Sequence, residues 1–185
     1  AAQVRDLQWS ETLGSWGRWR ISFPGERERV DGVFLETLPL DNHRLSIAAG
    51  AVGGPELPAA LAASALMMVI RSHGASAERP ETWLDRVTAW TADIIASGLE
   101  LNIAAVTIDE TAGTVAWAVR GRAAVGMLRD GRSTPFGIAA DGLGIRDAES
   151  GSIRINDLAG ELVILPDNSG NAVRLSVAGD EEVRT

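Results

Sequence analysis

Few side chains in this sequence could act as a nucleophile, a general base or a metal ligand. The 185 residues include no cysteine and no tyrosine, and all seventeen basic residues are arginine. These absences exclude a thiol nucleophile, a Schiff-base lysine and a thiolate metal site. Because only His43 and His73 are present, a three-histidine zinc site is excluded as well. Any catalysis must therefore use carboxylates, hydroxyls, arginine or a single histidine.

Two short segments could still carry chemistry, and neither has the spacing that its chemistry requires. Gly50–Gly54 is predicted to be a loop between a strand and a helix, where glycines can admit an anion to the helix start. Its spacing differs from the dinucleotide-binding fingerprint, and Glu56 would repel a phosphate. Ser72 and His73 are adjacent, but the sequence contains no Gly-x-Ser-x-Gly nucleophile elbow. We therefore expect neither nucleotide binding nor serine-hydrolase activity.

Composition and charge narrow the class of protein. The chain is 45% hydrophobic, which suffices for one domain with a real core. Its formal net charge of −8 disfavours nucleic acid and anionic membranes as partners. No apolar run is long enough to span a membrane and no signal segment opens the chain, so we expect a cytoplasmic protein. We predict a single domain over 1–185, with a lead-in over 1–16 and an acidic tail over 179–185.

The period of the hydrophobic pattern changes twice along the chain, from alternating to helical and back. The predicted strands are Gly17–Phe23, Gly32–Leu40, Arg44–Ala49, Leu101–Asp109, Thr114–Arg120, Ala123–Arg129, Glu161–Leu165 and Ala172–Val177. Between the third and fourth strands, Leu57–Ser72 and Glu81–Ser97 are predicted to form a helical hairpin. The strands from Leu101 to Arg129 are expected to form a meander, and Asp130–Gly151 to be a loop. Because the elements do not alternate as βαβ units, the prediction is an α+β fold with helices on a mainly antiparallel sheet or sandwich.

The two predicted helices differ in their apolar pattern. Leu57–Ile70 is apolar on nearly every face, which predicts a helix that is buried on most sides. In the second helix, Trp83 and Trp90 share one face, and we expect both in the core.

Several segments, in order and in register, resemble the SpoIIE-type branch of the protein phosphatase 2C superfamily, which comprises bacterial serine/threonine phosphatases of sigma-factor regulators. The matching segments are VDGVFLE (30–36), LPLD (38–41), AVGGPELPAAL (51–61), IDETAG (108–113), MLRDG (127–131), GLG (142–144) and GELVIL (160–165). The resemblance covers Val30 to Leu165. It implies a layered sandwich of antiparallel sheets with a two-helix hairpin, in one domain of a longer signalling protein.

The sequence departs from the family at the positions that bind metal. In the family, aspartates hold two divalent cations that activate water and clamp the phosphate. The resemblance aligns these positions with Val33, Ala51 and Asn168, although a one-residue shift puts Asp167 at the third. Val33 and Ala51 have no side-chain oxygen, which Mg²⁺ and Mn²⁺ require. The resemblance therefore implies a pseudophosphatase, with no catalytic residues and no cofactor.

A non-catalytic copy of this domain is expected to bind a protein in bacterial signalling, of sigma-factor or partner-switching type. The partner would be a sigma factor, an anti-sigma factor, an antagonist or a second copy of the chain. Trp9, Trp16 and Trp19 either belong to the core, which we favour, or form a partner surface. The candidate contacts are Trp16, Trp19, Arg18 and Arg20.

Two alternatives remain open from the sequence. The first is a metal-dependent serine/threonine phosphatase with a displaced or weakened site. That site would hold Mn²⁺ or Mg²⁺ on carboxylates at Asp31, Glu36, Glu56 and Asp167. The second alternative is a purely structural domain, which the sequence does not distinguish from a binding module.

Overall fold

The computed structural model describes residues 15–22, 32–73, 79–92, 98–130, 132–138, 149–158, 160–166 and 173–177. Its strands are β1 (Ser15–Trp16), β2 (Trp19–Ser22), β3 (Val33–Pro39), β4 (Arg44–Gly53), β5 (Glu100–Asp109), β6 (Thr114–Arg120), β7 (Ala124–Arg129), β8 (Arg132–Ile138), β9 (Glu149–Arg154), β10 (Glu161–Leu165) and β11 (Val173–Val177). Its helices are α1 (Glu56–His73), α2 (Pro80–Trp90) and a short 3₁₀ turn at Ile155–Asp157. In the described part of the chain, no helix is long and apolar enough to cross a membrane.

The strands form two sheets in which every described pairing is antiparallel. Sheet A has the order β1-β2-β11-β10-β7-β8, and sheet B has the order β3-β4-β5-β6-β9. Both α1 and α2 pack on sheet B. The predicted α+β class, with layered antiparallel sheets and two helices, is confirmed.

Two layers of apolar side chains hold these elements together. The layer between the two sheets includes Trp19, Leu35, Ile47, Val106, Trp117, Leu162 and Leu175. The layer between sheet B and the helices includes Phe34, Leu66, Ile70, Trp83, Leu84 and Ile103. Side chains of a strand alternate between its faces, so β3, β4, β5 and β6 contribute to both layers.

The boundaries of the predicted strands between residues 33 and 120 agree with the structure within a few residues. The exception is the glycine-rich segment that precedes α1. Gly50–Gly53 was predicted to be a loop, but it continues β4 and pairs with β5 from Ile103 to Glu100. The glycine-rich segment therefore belongs to a sheet as far as Gly53, and two residues separate that strand from α1. The loop prediction was wrong because glycine and alanine give no alternating signal, although they can be held in a central strand by neighbours on both sides.

Three other predictions about strands were also wrong. The predicted strand Gly17–Phe23 begins only at Trp19, as β2, because Gly17 and Arg18 form the turn that joins β1 to β2. The predicted meander ends at Gly121, because β7 pairs with β10 and β8 in the other sheet. The predicted loop Asp130–Gly151 contains β8 and the start of β9, which are edge strands with little apolar alternation.

Helix α1 begins and ends within one residue of its prediction, whereas α2 ends at Trp90, seven residues before the predicted Ser97. Residues 93–97 lie outside the described residues. The burial of both helices differs from the prediction. In α1, only the side that faces sheet B is buried; Leu57, Leu61 and Met68 are 54%, 53% and 70% exposed. In α2, Trp83 is buried as predicted, whereas Trp90 is 42% exposed, with the Arg86 guanidinium 5.8 Å from its ring centre. The expectation of a helix buried on most sides was wrong because α1 packs on one sheet only.

Candidate functional site

Val33 and Ala51, two of the positions implied to bind metal in the family, lie opposite each other on β3 and β4. Both have the same parity as Leu35 and Ala49, which pack between the sheets, so their side chains lie on that face of sheet B. Val33 is 1% exposed and Ala51 is 5% exposed. The strands therefore place the two residues together, with two buried aliphatic side chains where the resemblance implies carboxylates.

Asn102 extends this row to the next strand, because it pairs with Ala51 in the register of β4 and β5. Its side chain is buried, and its Oδ1 accepts a hydrogen bond of 2.7 Å from the backbone N–H of Arg122. The turn at Gly121 has a φ of +72°, and a Cβ there would lie 2.6 Å from the Leu101 carbonyl oxygen. Asn102 therefore fixes the turn at Gly121 and Arg122.

A second close backbone contact lies at the start of β3. Gly32 has a φ of +79°, and its carbonyl oxygen accepts a hydrogen bond of 2.9 Å from the N–H of Val52. A Cβ at this position would overlap the Val52 carbonyl oxygen. A glycine is therefore needed at position 32 for the strands to approach, and this requirement does not depend on which side chain occupies position 33.

The described residues at these positions do not fit a divalent cation. A hard cation needs several oxygen ligands, and Val33 and Ala51 provide none. The amide oxygen of Asn102 already accepts a backbone hydrogen bond. Within the described ranges, no three histidine, aspartate or glutamate side chains cluster as a metal site would require. The remaining implied positions, Asn168 or Asp167, lie outside the described residues.

The displaced carboxylate cluster is not assembled by the two of its members that the structure describes. Glu36 is buried beneath α1, where Arg71 donates from Nε to its Oε1 at 2.8 Å. Glu56 lies in the first turn of α1, fifteen residues before Arg71, which corresponds to about 22 Å along a helix. The structure therefore places Glu36 and Glu56 at opposite ends of α1. Asp31 and Asp167 lie outside the described residues.

A charged pair at the rim of this region was not singled out in the sequence. Glu100 lies opposite Gly53 in the β4–β5 register, and its Oε2 is 3.7 Å from Arg122 Nη2. The pair lies beside Asn102, which was also not predicted to belong to the site. Asn102 could have been found, because a buried amide in the apolar run of β5 requires a hydrogen-bond partner.

The predicted partner surface is corrected at Trp19. Its ring is 1% exposed and belongs to the layer between the sheets, which agrees with the favoured core interpretation. The indole N–H and Arg18 Nε both donate to Glu110 Oε1 at 3.1 Å. Trp16 is partly buried against the same core, whereas Arg18 and Arg20 are exposed. Of the four predicted contacts, the two arginines and the accessible part of Trp16 therefore remain available to a partner.

No protein-family model and no curated protein matches the sequence. Solved structures do match. The RsbU and RsbW domains of a Mycobacterium tuberculosis protein align with 79% of this chain and 42% of theirs, at 19% identity and a TM-score of 0.61. RsbX in complex with magnesium aligns over 83% of this chain and 75% of its own, at 9% identity and a TM-score of 0.59.

The third comparison is the PP2C phosphatase domain, with a fragment of the regulatory domain, of SpoIIE from Bacillus subtilis. It aligns over 77% of this chain and 44% of its own, at 11% identity and a TM-score of 0.55. This chain thus spans less than half of the RsbU–RsbW and SpoIIE chains. At these identities the comparisons describe the fold, and the chain has the fold of the PP2C-type bacterial serine phosphatases.

Proposed function

We propose that this domain is a catalytically inactive, phosphatase-like module that binds a protein partner in bacterial signalling. The observation that carries the proposal is the cross-strand pair of Val33 and Ala51. Both side chains are buried and aliphatic at positions where the family resemblance implies aspartates. Without carboxylates at these two positions, the described part of the site lacks the oxygen ligands of a two-metal centre.

The signalling role is supported by the kind of protein that shares the fold. RsbU, RsbX and SpoIIE are regulatory proteins, and two of the matching chains carry a second domain, RsbW in one and a regulatory fragment in the other. We infer that the partner is a sigma factor, an anti-sigma factor or an antagonist. The exposed Arg18 and Arg20 on β2 and the preceding turn are the proposed contacts.

The test is a calorimetric titration with Mn²⁺ and Mg²⁺, followed by an assay of phosphoserine-peptide hydrolysis on the same sample. RsbX, whose structure contains magnesium, is the positive control for metal binding. We expect no stoichiometric binding heat and no hydrolysis above the rate without protein.

Stoichiometric metal binding together with turnover would overturn the proposal. The Glu56→Gln variant would then show whether a displaced carboxylate at the start of α1 contributes. Glu36→Gln is less informative because it also removes the ion pair with Arg71.

A further inference from the structure

The helical layer on sheet B is divided between two pairs of strands. Helix α1 packs on β3 and β4, whereas α2 packs on β5 and β6. Among the described residues, the two helices touch each other much less than either touches the sheet. The packing therefore does not require α1 and α2 to open together, and each helix is attached to its own half of sheet B.

Helix α1 is joined to its half of the sheet by a charged pair. Glu36 on β3 has the same parity as Phe34, so its side chain lies on the face that carries the helices. This side chain is 4% exposed, and its Oε1 accepts a hydrogen bond of 2.8 Å from Nε of Arg71 in the last turn of α1. A buried carboxylate depends on a positively charged partner. The last turn of α1 both covers Glu36 and supplies such a partner.

Helix α2 is joined to its half of the sheet by a second pair, in which the charges are reversed. Arg120 on β6 has the same parity as Ala118, so it also lies on the helix face. Its side chain is 12% exposed, and its Nη2 donates to Oδ1 of the exposed Asp85 on α2 at 2.6 Å. Nε of Arg120 is buried and has no hydrogen-bond partner among the described residues. The guanidinium is therefore poorly compensated unless Asp85 is in place.

A third pair near α2 has a different geometry. Arg79 Nε lies 3.1 Å from Glu81 Oε1, and both residues belong to the start of the helix. The Arg79 side chain is largely exposed, and the pair does not reach the sheet. An exposed pair of this kind contributes little to stability. It therefore serves as an internal reference for the two pairs that join a helix to the sheet.

We propose that the Glu36–Arg71 and Asp85–Arg120 pairs are two tethers that hold α1 and α2 on sheet B independently. The helical layer then consists of two separate units of local opening, and a protein partner that displaces one helix leaves the other in place. The tethers lie on the face of sheet B opposite to the side chains of Val33 and Ala51. The inference therefore holds whether or not the domain binds metal or hydrolyses phosphate.

The tethers are tested by amide hydrogen–deuterium exchange, resolved to α1, α2 and the strands of sheet B. Asp85→Ala removes the partner of Arg120, and we expect it to speed exchange in α2 by at least about tenfold while α1 is unchanged. Arg71→Met should have the converse effect, with faster exchange in the second half of α1 and none in α2. In the double variant each helix should exchange as it does in the corresponding single variant.

Glu81→Ala is the matched control for Asp85→Ala, because it removes an ion pair of the same helix that does not reach the sheet. It should change exchange in α2 by at most about threefold. Faster exchange in both helices after either single substitution would show that they open as one unit and would overturn the proposal. An Asp85→Ala variant that exchanges like Glu81→Ala would also overturn it. Because Asp85 is exposed, this comparison remains available if Arg71→Met fails to fold.

Discussion

The two ends of the β3–β4 pair differ in how they use polar side chains. At the turn end, the Asp41 carboxylate accepts hydrogen bonds from the His43 backbone N–H at 2.8 Å and from Arg44 Nε at 2.7 Å. At the opposite end, Val33 and Ala51 face each other as buried aliphatic side chains. One pair of strands thus has a polar, exposed turn and an apolar, buried end at the candidate site.

The comparison indicates that the backbone geometry of the candidate site does not depend on ligand-binding side chains. At this end, Gly32 and Val52 are joined by a backbone hydrogen bond, and Asn102 satisfies the N–H of Arg122. The strands are held together by these bonds and by apolar packing. A metal ion is therefore not required to hold the described strands in place.

The largest effect is expected when carboxylates are introduced at the apolar end. The double substitution Val33→Asp and Ala51→Asp places two like charges in a buried position, and we expect a loss of about 3–5 kcal/mol in the free energy of unfolding. Urea unfolding at neutral pH measures the loss. Mn²⁺ should restore part of this loss in the variant and leave the wild type unchanged, because only the variant has carboxylates at these two positions.

The neutral double substitution Val33→Asn and Ala51→Asn is the control, since it adds similar volume without charge and should not respond to Mn²⁺. An unfolding free energy for the aspartate variant equal to that of the wild type would show that this end of the strand pair is not a buried apolar environment.

A smaller effect is expected from removing the amide at the apolar end. Asn102→Ala leaves the Arg122 backbone N–H without its acceptor, which should cost about 1–3 kcal/mol. Chemical denaturation measures the loss in the free energy of unfolding. Thr107→Ala, at a half-buried position of β5, is the control. If the two variants lose equal stability, Asn102 has no special role in fixing the turn.

The smallest effect is expected at the turn end. Hydrogen bonds from the His43 N–H and from Arg44 lower the pKa of Asp41 below its usual value of 3.8. A group with a lowered pKa stabilises the fold above its unfolded-state pKa, and this contribution disappears as the pH falls through the folded-state pKa. Wild type should therefore be slightly more stable than Asp41→Asn at neutral pH, and the two should converge as the pH falls below 3.8 and through the lowered pKa of Asp41.

Unfolding curves of both proteins from neutral to acidic pH measure the difference in their free energies of unfolding. This difference should be small because the carboxylate is exposed. A difference that grows on acidification would mean that Asp41 is not stabilised in its charged form.

Much of the fold could be predicted because its elements have regular patterns. Helical spacing and Pro80 placed the helices, and alternation placed most strands from Val33 to Arg120. The edge strands β8 and β9 were missed because a strand with little buried surface shows little alternation. The change of sheet after Gly121 was also missed, since a glycine turn signals a reversal but not which sheet the next strand joins.

The site was predictable in part. The family resemblance placed Val33 and Ala51 at related positions, and the structure brings them together. The hydrogen bond of Asn102 and the position of Glu36 under α1 depend on register and on which face packs against the helix. Those relations are set by tertiary packing, so residue types alone could not distinguish the buried Glu36 from an exposed carboxylate.

The pairing of β2 with β11 has a consequence for the order of folding. This pairing joins Trp19 to Val177, so the middle of sheet A contains strands from near both ends of the chain. In sheet B, β3 to β6 pair with their neighbours in sequence. Because distant contacts close larger loops, we expect β3–β6 to form early and sheet A to be completed only when the last strand is available. During synthesis, β2 and its Trp19 therefore lack the neighbouring strand β11 until residues 173–177 have left the ribosome.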